Sequence, residues 1–90
     1  MKYFDWDVSK NNLLKELRNI SFEEIVISIA NDKLLDIVEH PNKQKYPDQK
    51  MFVVEIRDYV YITPFIEDDE KYFLKTIYPS REATKKYLNK

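Results

Sequence analysis

The second half of the chain contains three successive runs of β-branched and aromatic residues, and these runs limit the possible folds more than any other feature. They read MFVVEIR, YVYITPFI and KYFLKTIY, at residues 51–57, 59–66 and 71–78. Residues of these types favour β-strands. Asp58 and its neighbours leave room only for a tight hairpin between the first two runs, and the acidic residues before the third make a charged turn. The sequence therefore predicts an antiparallel meander of three strands.

Glycine is absent from the ninety residues, which restricts how the chain can turn. A positive φ angle is costly for most residues, and Asn and Asp tolerate it best after glycine. We therefore expect Asn19, Asn31 and Asp58 to mark turns.

The opening of the chain predicts a short strand followed by a helix. KYFDWD, residues 2–7, alternates charged and aromatic residues, which is typical of a strand. Asp7 is suited to cap a helix over residues 8–18, and Asn19 to end it. The apolar residues of this helix are spaced to form one face against the core, and they are Val8, Leu13, Leu14 and Leu17.

Capping residues predict two further helices. Ser21 and Glu24 form the signature of a capping box immediately before an apolar run, which predicts a second helix that ends near Asn31. Ser80 is suited to cap a last helix that continues through Tyr87.

The element order is a short strand, two helices, about four strands including one at residues 34–39, and a last helix. Ninety residues suit a single domain over residues 1–90. Helices collected on one face of an antiparallel sheet make an α+β fold of two layers. We therefore predict an antiparallel sheet of about four strands, with the two N-terminal helices and the C-terminal helix packed on it.

The composition excludes several classes of site. Cysteine is absent and His40 is the single histidine, so thiolate, disulfide and multi-histidine metal sites are excluded. The four acids at residues 67–70 predict a solvated turn, and we expect no metal and no cofactor. The charged N-terminus lacks the apolar core of a signal peptide, and no run approaches the length of a membrane span. We expect a soluble, cytoplasmic protein without a membrane partner.

The C-terminal end of the chain is basic. Residues 71–90 hold six cationic residues and one glutamate, a net charge of +5, whereas the whole chain carries −1. Such an end predicts a face for a polyanion or for an acidic protein partner, and a solvated helix face is the simplest alternative. Arg81 stands in the first turn of a helix, where a cation opposes the macrodipole, so it indicates an anion site. The structural alternative is a surface salt bridge of Arg81 with a carboxylate such as Asp36 or Glu55.

RNA is one polyanion that a basic face could bind, and cleavage of its phosphodiester without a metal would need a base for the 2′-hydroxyl, cations beside the phosphorane and an acid for the leaving oxygen. His40 is the side chain whose ordinary pKa lies nearest neutrality, although a lone histidine before a proline is more often a loop residue. Lys75 belongs to the third run, where a solvated lysine is the simplest interpretation. Catalytic candidates are Arg81, His40 and Lys75. Candidates for RNA binding are Lys43, Lys45, Arg57, Lys85 and Lys86.

Three fragments together resemble the BrnT family of bacterial toxins. They are FDWD followed by Lys10 and Asn12, RNISFEE at residues 18–24, and SREATKKY at residues 80–87. Arg81 matches the arginine of the family's last motif, and Lys75 stands one position before the place of its first arginine. The histidine and glycine that precede SFEE in the family are replaced by Arg18, Asn19 and Ile20.

The resemblance implies a RelE-like fold and a small ribonuclease of a type II toxin–antitoxin operon. It also implies a DNA-binding antitoxin encoded by the adjacent gene, with RNA as the substrate and a dimer or a hetero-tetramer with the antitoxin as possible assemblies. One alternative is a non-catalytic binding or regulatory protein of the same fold that engages a partner through its basic C-terminal face. Another is an unrelated function on the same architecture, since a fold alone does not determine function.

Overall fold

The computed structural model describes residues 2–89 and confirms an α+β fold with three helices and a mostly antiparallel sheet. The elements in chain order are β1 (Tyr3–Trp6), α1 (Val8–Arg18), α2 (Phe22–Ala30), β2 (Leu34–Glu39), β3 (Gln49–Ile56), β4 (Tyr59–Glu67), β5 (Lys71–Leu74), β6 (Tyr78–Pro79) and α3 (Arg81–Leu88).

The sheet has six strands, more than the four or so that were predicted. Its order is β1-β5-β4-β3-β2, and β6 pairs with β4 on the same side as β5. The pairings β2–β3, β3–β4 and β4–β5 are antiparallel, as the meander prediction requires. The opening strand β1 pairs in parallel with β5. The first strand of the chain thus lies beside the last strand of the predicted meander and forms one edge of the sheet.

The third predicted strand is interrupted by a β-bulge. On β4 only Thr63 and Pro64 separate the part that pairs with β5 from the part that pairs with β6, whereas residues 75–77 separate β5 from β6. The second segment thus has one extra residue. Pro64 has no N–H to donate to the ladder, and its carbonyl accepts a hydrogen bond from the backbone N–H of Lys75 at 2.8 Å. Ile77, within the bulge, is fully buried.

The central pair β3 and β4 is buried on both faces. On the first face, α1 and α2 cover Phe52, Val54 and their neighbours. On the second face, α3 covers a separate cluster of Met51, Val53, Val60 and Ile62, against which Ala83, Tyr87 and Leu88 pack.

The prediction of two layers is corrected by this arrangement, because α3 lies on the opposite side of the sheet from α1 and α2. The physical reason is visible in β3, whose residues 51–54 are apolar without alternation and all buried. A strand with that pattern is covered on both sides.

The turns confirm part of the glycine argument. Asn19 and Asp58 have left-handed backbones, with φ of 53° and 63°. Asn31 ends α2 and begins a turn, as predicted, but its φ is −100° and the left-handed position falls on Asp32, at 62°. Arg57 is also left-handed at 52°, so both central residues of the β3–β4 hairpin turn have the backbone of a type I′ turn, which usually contains glycine.

A buried asparagine joins the first two helices. The Oδ1 atom of Asn11 accepts a hydrogen bond from the backbone N–H of Phe22 at 2.7 Å, and its Nδ2 donates to Oε1 of Glu23 at 2.7 Å. Phe22 is the first residue of α2, where backbone N–H groups lack partners within the helix. The capping box of Ser21 and Glu24, present as predicted, satisfies another of these N–H groups. Asn11 thereby fixes α1 against the start of α2.

The side of α1 that faces the core differs from the predicted side. Because Asn11 and Leu14 face the core, Leu14 is the buried member of the predicted apolar face. The exposed fractions of Val8, Leu13 and Leu17 are 69%, 45% and 72%. The spacing of apolar residues located the helix correctly but not the side that it buries.

Two buried threonines offer a matched test of packing energetics. The hydroxyl of Thr63, opposite the bulge, is buried without a hydrogen-bond partner in the described chain. The hydroxyl of Thr84 accepts from the N–H of Val60 at 2.9 Å and donates to the carbonyl of Ser80 at 2.7 Å. We expect Thr63→Val to raise the free energy of unfolding by about 1 kcal/mol and Thr84→Val to lower it by about 1–3 kcal/mol. Urea unfolding monitored by circular dichroism measures both, and equal destabilisation by the two substitutions would contradict this account.

Candidate functional site

Hydrogen bonds to β4 hold the start of α3 in place. Ser80 caps the helix, with its Oγ accepting from the N–H of Ala83 at 3.1 Å, and its own N–H donates to the carbonyl of Val60 at 2.9 Å. The Thr84 hydroxyl accepts from the N–H of Val60, so the first turn of the helix is bonded to the strand twice. Arg81, which directly follows the cap, therefore has a well-defined position beside the hairpin turn.

The end of α3 is attached to the opposite edge of the sheet. The hydroxyl of Tyr87 donates to Oδ2 of Asp36 on β2 at 2.7 Å. This bond, with a second from the backbone N–H of Ile37, lowers the pKa of Asp36, and it raises the pKa of Tyr87. The helix is thus held at both ends, across β4, β3 and β2.

A groove of about 370 Å³ lies between the first turns of α3 and the β3–β4 hairpin turn. The residues that line it are Asp58, Tyr59, Arg81, Thr84 and Lys85. Arg81 and Lys85 are exposed and one helical turn apart, so their charges share one side of the helix. The N-terminal end of the helix dipole adds positive potential at the same place. The two cations and the helix dipole outweigh the one carboxylate in the lining, that of Asp58, so the groove is suited to a phosphate or a carboxylate.

The structural alternative for Arg81 is a salt bridge with a carboxylate such as Asp36 or Glu55, and the structure gives these two carboxylates other partners. Asp36 accepts from Tyr87, and Glu55 lies 4.0 Å from Nζ of Lys33. Within residues 2–89, neither the Arg81 guanidinium nor the Lys85 ammonium forms a hydrogen bond or an ion pair. Both cations therefore remain available to an external anion.

His40 lies at the other end of the sheet from this groove. Its backbone N–H donates to the carbonyl of Gln49, at the start of β3, whereas the groove adjoins the hairpin turn at the end of β3. Eight strand residues correspond to about 26 Å, so His40 and Arg81 do not meet at one phosphate. The Nδ1 atom of His40 accepts from the N–H of Asn42 at 3.1 Å, and its ring lies 4.5 Å from that of Tyr46. These contacts fit the alternative of a loop residue.

Lys75 is also outside the groove. Its N–H bonds to the carbonyl of Pro64, which lies five residues, or about 17 Å, along β4 from Tyr59. Its side chain is exposed, with Nζ 5.4 Å from the centre of the Phe73 ring. The three residues predicted as catalytic are therefore distributed over three places.

Arg57, predicted to bind RNA, has partners within the protein. Its guanidinium donates to Oε1 of Glu24 at 2.6 Å and to the carbonyl of Asn19 at 3.2 Å. The bond to Glu24 raises the pKa of Arg57 further. The side chain thus connects the hairpin turn to the corner between α1 and α2.

The remaining predicted RNA contacts, apart from Lys85, lie elsewhere on the surface. Lys43 is paired with Glu39 in the loop after β2, and Nζ of Lys45 lies 5.3 Å from the ring centre of Tyr46. Lys86 is one position beyond Lys85 on α3, with its Nζ 5.3 Å from the ring centre of Tyr87. Of the five predicted RNA contacts, Lys85 is the one that lines the groove with Arg81.

Asp58 and Tyr59 line the groove but were not selected from the sequence as site residues. They add a carboxylate and a phenol to the arginine and lysine, and these are groups that can exchange protons with a bound nucleotide. The sequence gives a weak signal for them, because Asp58 was identified as a turn residue while the contact of that turn with α3 is non-local.

The acidic residues 67–70 are exposed to solvent where the chain passes from β4 to β5. Oδ1 of Asp68 accepts hydrogen bonds from the N–H groups of Glu70 and Lys71, at 2.8 and 2.9 Å. Among residues 2–89, no group of three or more histidine or acidic side chains is arranged to hold a metal ion. In the same part of the chain, no helix has the length and apolar character needed to cross a membrane.

Comparisons of the chain with protein-family models, with curated proteins and with solved structures find no match. The resemblance to the BrnT family thus rests on the short motifs alone and stays a prediction.

The groove should bind inorganic phosphate. We expect phosphate to shift the backbone amide NMR signals of Arg81, Glu82 and Asp58, and to leave that of His40 unchanged. Arg81→Ala should weaken binding at least about fivefold, since a charge-assisted hydrogen bond contributes roughly 1.5–3 kcal/mol. Equal shifts at Lys45 and Arg81 would indicate diffuse attraction to lysines instead of a defined groove.

The bond between Tyr87 and Asp36 should make stability depend on pH. Because the pKa of Asp36 is lowered in the folded state, its stabilisation is present above the unfolded value of about 3.9 and is lost as the pH falls through the folded value. We expect Tyr87→Phe to reduce this acid-induced loss, measured by urea unfolding at a series of pH values. Tyr46→Phe is a matched control, and a Tyr87→Phe profile parallel to that of the wild type would contradict the assignment.

Proposed function

We propose that this protein is the toxin component of a bacterial type II toxin–antitoxin pair, a BrnT-like endoribonuclease that acts in the cytoplasm. It inhibits translation by cleaving RNA without a metal. The observation that carries the proposal is the groove in which Arg81 and Lys85 face solvent without a carboxylate partner within residues 2–89. Arg81 is also the residue on which the SREATKKY motif agrees with the family.

The groove offers the groups that this chemistry requires. A phosphodiester held by Arg81 and Lys85 would have the two positive charges beside the oxygens that become more negative in the phosphorane. The 2′-hydroxyl gives its proton to a base and attacks phosphorus, and the 5′-oxygen leaves with a proton from an acid. Asp58 and Tyr59 line the same groove and are the candidates for these proton transfers. His40 and Lys75 have no part in the chemistry of this proposal.

One observation favours the non-catalytic alternative. The described residues that line the groove include no histidine, and therefore no side chain whose ordinary pKa lies near neutrality. A groove whose two cations have no carboxylate partner within residues 2–89 would also hold a carboxylate of an acidic partner protein. In that case the protein would bind through the same face without cleaving RNA.

Expression in bacteria tests the proposal. We expect growth arrest with loss of cellular RNA, and rescue by Arg81→Ala, because removal of a cation beside the phosphorane costs about 10²–10³-fold in rate. Lys85→Ala should give partial rescue. His40→Ala, at the far end of the sheet, should remain toxic, and Lys10→Ala on α1 is a control for loss of charge.

The outcomes separate the two readings. Growth arrest that persists in Arg81→Ala would contradict the assignment of the groove. Absence of toxicity, combined with tight binding of the product of a neighbouring gene that Arg81→Ala abolishes, would favour the non-catalytic partner protein. A neighbouring gene for a ribbon-helix-helix or helix-turn-helix protein is the expected companion, and purified protein incubated with RNA reports cleavage directly.

A further inference from the structure

The second face of the sheet is only partly covered by α3. The helix packs on β4, β3 and β2 near the hairpin turn, whereas the part of this face formed by β1, β5 and the end of β4 is open. Tyr3 and Ile66 on this part have exposed fractions of 53% and 38%. We call this region the open sheet face, and the residues that form it are Tyr3, Asp5, Ile66, Lys71, Phe73 and Lys75.

Pairing of the strands places these side chains on one side. Tyr3 pairs with Lys71 and Asp5 with Phe73 across the parallel strands, and Ile66 pairs with Phe73 across the antiparallel ones. Lys75 lies just beyond the end of β5, in the bulge, and its Nζ approaches the Phe73 ring to 5.4 Å, so its charge lies beside the same side chain.

Phe73 has a lysine on each side along the strand. Nζ of Lys71 lies 5.8 Å and Nζ of Lys75 lies 5.4 Å from the centre of its ring, both within the range of cation–π attraction. Residues two apart in a strand are about 6.7 Å apart. The ring therefore has a cation near it on each side along the chain.

The two lysines differ in their other partners. Nζ of Lys71 lies 3.2 Å from Oδ2 of Asp5, an ion pair that raises the pKa of Lys71 and lowers that of Asp5. Lys75 forms no ion pair within residues 2–89, so its charge is available to an incoming anion. The phenol of Tyr3 lies near Lys71 and adds a second accessible ring to the face.

We propose that the open sheet face binds a single-stranded segment of RNA, with one base stacked on Phe73 and a neighbouring phosphate held by Lys75, while Lys71 stays paired with Asp5 beside the ring. The inference rests on the proposed function, since RNA is the ligand in both. A stacking base displaces the Lys75 ammonium from the ring toward the phosphate that flanks the base. Single-stranded RNA alternates flat bases with phosphates, which matches the ring with a cation beside it, whereas an acidic peptide would match the cation alone.

The arrangement also assigns a role to Lys75 that differs from catalysis. Lys75 lies about 17 Å from the groove along β4, beyond the reach of a phosphate held by Arg81. Contacts of the RNA at both places would orient the strand along the side of the sheet where β5 and β6 pair with β4. Binding at the open sheet face would then select unpaired RNA, because a paired base has no free face to place on Phe73.

Fluorescence anisotropy with a labelled, unstructured single-stranded RNA tests the inference, and it needs no cleavage. We expect Phe73→Leu, which keeps the apolar surface but removes the ring, to weaken binding on the order of tenfold, and Phe73→Trp to restore it. Lys75→Gln should reduce the slope of log K against log salt by about 0.7, the value for one phosphate of a single strand. Lys10→Gln removes the same charge from α1 on the first face and should leave the RNA affinity within about twofold.

The outcomes distinguish this inference from the proposed function. Phe73-dependent RNA binding without toxicity or cleavage would support the open sheet face and overturn the ribonuclease. Toxicity that depends on Arg81, with RNA affinity unaffected by Phe73→Leu, would support the ribonuclease and overturn the open sheet face as an RNA site. Absence of RNA binding would overturn both, and binding of poly-glutamate that depends on Lys75 but not on Phe73 would assign the face to an acidic protein.

Discussion

The pairing of β3 with β4, buried on both faces, is the constraint on which the rest of the structure depends. The buried side chains of these two strands belong to two clusters, one covered by α1 and α2 and the other by α3. The helices α1, α2 and α3 have 11, 9 and 8 residues, which is too little helix to cover both faces of six strands. The helices therefore cover the central pair, and the edge strands keep accessible surface. Both candidate binding regions lie where that cover ends.

The position of the groove follows from two kinds of contact at the hairpin turn. Arg57 and Asp58 adopt left-handed backbones that glycine would adopt at lower cost, by roughly 1 kcal/mol for each residue. The Arg57 side chain offsets part of this cost by bonding to Glu24 and to the carbonyl of Asn19, and Asp58 lines the groove. The turn thus connects the corner of the helical pair on one side of the sheet with the start of α3 on the other.

Local features of this sequence were predictable and non-local ones were not. The caps Asp7, Ser21 and Ser80 fixed the starts of all three helices, because each requires only a side chain and a backbone N–H a few residues away. The side of the sheet on which α3 packs depends on partners distant in sequence. The distance between His40 and Arg81 likewise depends on strand register, so the sequence indicated an anion site at Arg81 but not which residues accompany it.

The β-bulge at residues 75–77 determines on which side of the sheet each later side chain lies. Side chains in a strand alternate between faces, so one added residue exchanges the two faces for the remainder of the strand. Without it, Ser80 would leave the sheet on the side already occupied by α1 and α2, and α3 would have no surface to cover. A single residue therefore determines whether the last helix has a place to pack. Loss or gain of one residue in this segment would be a change of topology, and it would act on Arg81 without altering any residue near it.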